Sequence, residues 1–133
     1  MGLIVDTNVL IAFERRGELV DLSAWEPTED VFVSVITVSE LLTGVHRADT
    51  ETRKARRSAF VEAIISGITA LDFTTEIARI HARLWADLAA RGLPIGAHDL
   101  IIAATAVAYD LSLLTDNADE FSRIHGLNVV NFS

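Results

Sequence analysis

Five short apolar runs, near residues 2–5, 31–36, 69–73, 111–115 and 127–132, recur along the chain and are rich in Val, Ile, Leu and Phe. Each is too short for a helix core and is bounded by polar residues, so each reads as a buried strand. Between them lie segments with apolar residues three and four apart. Residues 7–16, 37–47, 50–66, 75–91 and 98–109 carry this spacing. Thr50 is a suitable N-cap for the third segment, in which Phe60, Val61, Ile64 and Ile65 form the inner face, and Gly92 and Pro94 stop the fourth. The fifth, with Leu100, Ile101, Ile102, Ala103, Ala104, Ala106 and Val107, is apolar nearly all round and reads as a central helix. Strands that alternate with helices pair in parallel through right-handed crossovers, which covers both faces of the sheet. The expected architecture is therefore α/β, a three-layer sandwich around a parallel sheet of about four to five strands. Residues 14–30 are the most polar connection, and Leu19, Leu22 and Trp25 predict a short packed helix within it.

The 133 residues suit a single domain over 1–133, and a 50% hydrophobic content supplies its core. With no cysteine, disulfides and thiolate zinc sites are excluded. No apolar run reaches the roughly 18 residues of a membrane span, and the N-terminus lacks a signal-peptide pattern, so the expectation is a cytoplasmic protein without membrane contact. The formal net charge of −8 disfavours broad binding to a polyanion and favours a cationic partner or a divalent metal.

Four acids stand where the strands end. Asp6 follows the first strand, Glu40 lies one turn into the next helix, Asp99 begins the apolar helix, and Asp116 follows "SLLT". In open parallel sheets, sites form beyond the carboxyl ends of the strands. Each acid also has a purely structural reading. Asp6 can cap a helix, Thr37-Val38-Ser39-Glu40 fits a capping box, Asp99 suits a helix's first turn, and "DNADEF" is ordinary turn chemistry. Four coincidences at one sheet edge make the joint structural reading weaker than a site. Crowded carboxylates repel one another unless protons or a cation intervene, and hard oxygen donors select Mg2+ or Mn2+. Such ions activate water and stabilise charge on a phosphoryl group.

The stretches "LIVDTNVLIAF", "VSVITVSELLTG", "GLPIGAHDLIIAATAVAYDLSLLTDNADEF" and "GLNVVNF" resemble, over nearly the whole chain, the PIN domain of VapC-type toxins. The resemblance implies a PIN-like fold and an Mg2+- or Mn2+-dependent endoribonuclease, the toxic half of a type II toxin–antitoxin pair. It also implies a homodimer inhibited by a VapB-type antitoxin. It carries catalytic and metal-binding roles onto Asp6, Glu40 and Asp99. For the fourth acid, Asp116, Asn117 and Asp119 lie close enough to contribute. Asp116 is favoured because it directly follows the strand, with Asp119 as its substitute. Thr7, Asn8 and Thr115 are expected to orient carboxylates or water.

Arg53, Lys54, Arg56 and Arg57 form the one basic cluster, a solvated face or a contact for RNA or a partner. His46, His81 and His125 read as structural, His98 as a group on the rim of the site, and Trp25 and Trp85 as packing anchors. Receiver domains and phosphatases with an aspartyl nucleophile also place acids at strand ends. Both need a late lysine, whereas the only lysine is Lys54, and the phosphatases need an acid where Asn8 stands. The remaining alternative is a PIN domain that binds RNA or protein without cutting.

Overall fold

The structure is a computed structural model that describes residues 2–28 and 30–133. Its elements run β1 (Leu3–Val5), α1 (Thr7–Arg16), β2 (Val31–Ser34), α2 (Val35–His46), α3 (Glu51–Gly67), β3 (Thr69–Leu71), α4 (Thr75–Ala90), α5 (Ala97–Ala108), β4 (Ser112–Thr115), α6 (Ala118–Phe121) and β5 (Asn128–Asn131). Only α6 was not anticipated.

The strands form one parallel sheet in the order β3-β2-β1-β4-β5. Leu3 pairs with Val31 on one side and Ser112 on the other, so the three-residue β1 lies at the sheet's centre. Alternation along the strands divides the core. Leu3, Val5, Val33 and Leu114 pack against α1, α2 and α3, through Val9, Leu10, Phe13, Leu41, Val61 and Ile64. Ile4 and Leu113 point the other way, onto Ile77, Leu84 and Leu88 of α4, Leu100 and Ile102 of α5, and Phe121. The result is three layers. Ala103, Ala104 and Ala106 are fully buried, so small side chains face the sheet side of α5 and allow it to lie close.

Strand order reverses at β1. The chain passes outward to β2 and β3, then returns to the other side for β4 and β5. The switch point therefore falls between β1 and β4, where a crevice opens beyond the carboxyl ends of the strands. Asp6 N–H donates to the Leu114 carbonyl (2.9 Å) and closes the floor of that crevice.

Two local expectations fail. No helix forms among residues 17–28. Trp25 N–H and Glu26 N–H both donate to Leu22 O in a single turn. Pro27 then ends it, since proline lacks a donor and restricts the residue before it. Leu22 is buried and Trp25 stacks on Phe132 at 5.1 Å, but Leu19 is exposed. In α3, Val61 and Ile64 are buried as expected, whereas Ile65 is exposed. Among the described residues, no helix is long and apolar enough to cross a membrane.

Candidate active site

Asp6 occupies the N-cap position of α1, yet its side chain makes no capping bond. It accepts instead from the Thr115 hydroxyl (2.8 Å), at the end of β4. Asp6 is only 4% exposed. Burial pushes its carboxyl above the usual range, opposed by the Thr115 hydroxyl and the Thr7 amide, and reinforced by the charges of Glu40 and Glu120.

Glu40 is not a capping-box residue. The N-cap of α2 is Ser34, whose hydroxyl accepts from Ile36 N–H, so Thr37 lies inside the helix. Both oxygens of Glu40 are held. Thr7 Oγ1 donates to Oε1 (2.7 Å) and His98 Nδ1 lies 3.3 Å from Oε2. His98 thus stands on the rim, as expected, beside Gly96, Ala97 and Asp99 in one shallow cleft with Glu40.

Asp99, in the first turn of α5, is pushed up to about 6. Burial is the first cause, followed by the charges of Asp6, Glu120 and Glu40, with His98 opposing. A Cβ on Gly96 would lie 3.3 Å from Asp99 Oδ2, so the bare backbone leaves room for that carboxylate.

The charge of Glu120, like that of Glu40, acts on both Asp6 and Asp99, so Glu120 joins Asp116 and Asp119 as a candidate for the fourth acid. Phe121, fully buried, anchors α6 beneath it. Glu120 accepts from Asn117 Nδ2 (2.7 Å) and Gly96 N–H (3.3 Å), which ties α6 to the start of α5. Asp116 is exposed and its Oδ1 accepts from Ser133 Oγ (2.5 Å), while its own amide donates to Asn8 Oδ1 (3.2 Å). Asn8 therefore latches the turn after β4, and the Asp116 carboxylate turns to the C-terminus. Asp119 is exposed.

Among the described residues, no three His, Asp or Glu side chains are grouped so that they could hold a metal ion together. The donor set nonetheless fits a hard cation. It is oxygen-only, anionic and partly buried, and burial with like charge nearby makes Asp6 and Asp99 resist ionising without a countercharge. Mg2+ keeps several of its waters and needs only one or two protein carboxylates, so an open arrangement suits it.

Residues 3–127 match the family model of the PIN domain. The chain is 41% identical to Ribonuclease VapC1 of Rickettsia felis, over 100% of its own length and 98% of that protein. This chain belongs to the VapC family of PIN domains. It is 35% identical to the tRNA(fMet)-specific endonuclease VapC of Salmonella typhimurium, over 97% of this chain and 96% of the other. The fold superposes on VapBC2 from Rickettsia felis, solved bound to a DNA fragment from its promoter, with a TM-score of 0.89, 26% identity and full coverage of both chains. It also superposes on DNA-bound VapBC from Salmonella typhimurium, with a TM-score of 0.87, 29% identity, and 100% and 99% coverage.

The basic cluster divides on inspection. Arg53 is chelated by Asp49 through both carboxylate oxygens (2.8 and 2.9 Å). Arg57 donates to Gly44 O (3.0 Å), pairs with Glu14 (3.6 Å), and shares a cleft with Arg15 and Glu40. Arg56 is exposed. Trp85 is not a packing anchor. It is 63% exposed and continues an edge-to-face ladder from Phe73 through His81, at 5.8 Å per step.

Proposed function

We propose that this VapC-family chain is an Mg2+- or Mn2+-dependent endoribonuclease and the toxin of a toxin–antitoxin pair. The observation that carries the reading is the meeting of Asp6, Glu40, Asp99 and Glu120 at the switch point of the sheet. The names of its relatives, Ribonuclease VapC1 and tRNA(fMet)-specific endonuclease VapC, support an RNA substrate. The VapBC assemblies it superposes on support a VapB-type antitoxin.

Asp6 and Asp99 would hold the ion, with Glu40 and Glu120 bordering it. When bound, Mg2+ or Mn2+ supplies an acidified water and charge stabilisation at the phosphoryl group. Thr115 fixes the Asp6 carboxylate through one of its oxygens. Glu40, held at both oxygens, keeps a defined orientation toward the cleft and is placed to take the proton of an attacking water. That water adds to phosphorus as the P–O bond to the leaving nucleotide breaks, and the leaving oxygen takes up a proton from solvent at the open cleft. Arg57 and Arg15, on the wall shared with Glu40, are the cations placed to meet a flanking phosphate.

A second copy of the chain is the proposed occupant of the Trp85 face. The Phe73–His81–Trp85 ridge lies beside an apolar groove of about 550 Å3, lined in part by Leu88, Leu93, Ile95 and Ile101. Ridge and groove share one face, so a two-fold axis can seat each ridge in the other's groove.

The decisive experiment incubates the purified chain with RNA and Mg2+ or Mn2+, then repeats the reaction with EDTA. Endonucleolytic cleavage that EDTA stops is the expected result. Binding of RNA without cleavage at any metal concentration would assign the chain to the non-cutting modules instead.

A further inference from the structure

Thr37 is fully buried, and among the described residues the only partner of its hydroxyl is Thr7 Oγ1, 3.0 Å away. Thr7, also buried, lies 2.7 Å from Glu40 Oε1. A hydroxyl has one proton, and a carboxylate only accepts. Thr7 must therefore spend its proton on Glu40, and Thr37 must donate to Thr7. The three groups form a one-way chain, Thr37 to Thr7 to Glu40, across two helices. Thr37 and Glu40 are three residues apart on one face of α2, so the chain leaves that helix, touches the start of α1 and returns.

We propose that Thr37 is a positioning residue, whose hydroxyl acts through Thr7 to hold the Glu40 carboxylate in its working orientation. The inference rests on Glu40 being an acid of the active site. What separates it from ordinary core satisfaction is where its bond leads: Thr37 lies in the first turn of α2, and the hydroxyl it meets is the one that touches Glu40. In addition, its donation polarises Thr7 and so strengthens the bond that Glu40 receives, since linked hydrogen bonds in a low-dielectric interior reinforce one another.

The test compares Thr37→Val, which keeps shape and removes the hydroxyl, with Thr37→Ser, which keeps the hydroxyl. Thr37→Val is expected to lower kcat for RNA cleavage about tenfold, with KM unchanged, the lower end of what loss of an outer hydrogen-bond partner costs a metal site. Mn2+ affinity, measured by calorimetry without RNA, should weaken by a similar factor. Thr37→Ser should stay within about twofold of wild type in both. In a Glu40→Gln background, Thr37→Val should cause no further loss of Mn2+ affinity, because its effect runs through that carboxylate. Should Thr37→Val fail to fold, Thr7→Val interrupts the same chain at its middle and is read in the same way. Wild-type kcat and Mn2+ affinity in the Val variant would overturn the inference. So would a Ser variant as impaired as Val, which would assign the effect to methyl packing. If Glu40→Gln itself cleaves like wild type, the assignment of Glu40 fails and takes this inference with it, whereas a dead Glu40→Gln beside an unaffected Thr37→Val refutes the positioning role alone.

Discussion

Replacing Asp99 with Asn should make the metal-free protein more stable while removing its chemistry. In the folded chain Asp99 ionises near 6, against 3.8 for the free group. At pH 7.5 it is charged in both states, and the gap corresponds to about 3 kcal/mol of folded-state strain against ionisation. Asp99 is partly exposed, so solvent screening reduces this to about 1–2 kcal/mol. Asparagine has nearly the same shape and no charge. The apo variant should melt about 3–8 °C above wild type at pH 7.5 for a chain of this length. The sign with pH follows from proton linkage. Between about 6 and 3.8 the folded state holds the extra proton, so this group's contribution makes wild type more stable as pH falls through that window. The advantage of the Asn variant should thus be full above about pH 6, shrink below it, and vanish near pH 4. Adding Mg2+ should raise the Tm of wild type more than that of the variant, because the ion relieves the repulsion that the mutation has already removed. The assay is calorimetry of both proteins across pH 4–8, with and without Mg2+. An apo variant no more stable than wild type at pH 7.5, with a difference that ignores pH, would refute the argument from burial and like charge.

Three further outcomes are expected. Glu120→Gln should reduce cleavage at least tenfold while Asp116→Asn stays within about threefold, in a fluorescent RNA assay; the reverse ranking would return the fourth place to Asp116. Arg57→Gln should weaken RNA binding and flatten its dependence on salt by nearly one unit of log slope, whereas Arg53→Gln, which does not line the cleft of Arg15, Glu40 and Arg57, should change it little in titrations from low to moderate salt. Trp85→Glu should shift sedimentation to the monomer with the circular dichroism spectrum unchanged; a variant that sediments as wild type would place any dimer contact elsewhere.

The layered α/β architecture was legible because apolar run length reports burial on both faces of a parallel sheet. Every strand was located from that signal alone. Three of the four acids that meet, Asp6, Glu40 and Asp99, were legible because each follows a strand or opens a helix beside one. Glu120 was not, since α6 is one turn long and too short to show a period. Asp116 stands directly after β4, where its position in the sequence put it, but chain direction after a strand tip does not say that its carboxylate accepts from Ser133. Thr37 was read as half of a capping box. Its spacing to Glu40 was correctly noticed, but Ser34 takes the capping role, and the same spacing instead aligns two side chains on one helix face. The packed helix expected near Leu22 was stopped by Pro27, and the exposure of Trp85 was invisible because an aromatic at helical spacing reads as core whichever way the helix is turned.

The Asp6–Thr115 hydrogen bond joins residues 109 positions apart. Closing so long a loop is slow and entropically costly, and no shorter segment supplies Thr115. Until β4 has left the ribosome and paired with β1, the strand tip bearing Asp6 has neither its backbone partner at Leu114 nor its hydroxyl donor. A chain truncated or stalled anywhere before that point carries only fragments of the acidic cluster. The topology therefore delays assembly of the site until β4 has been made and has paired with β1.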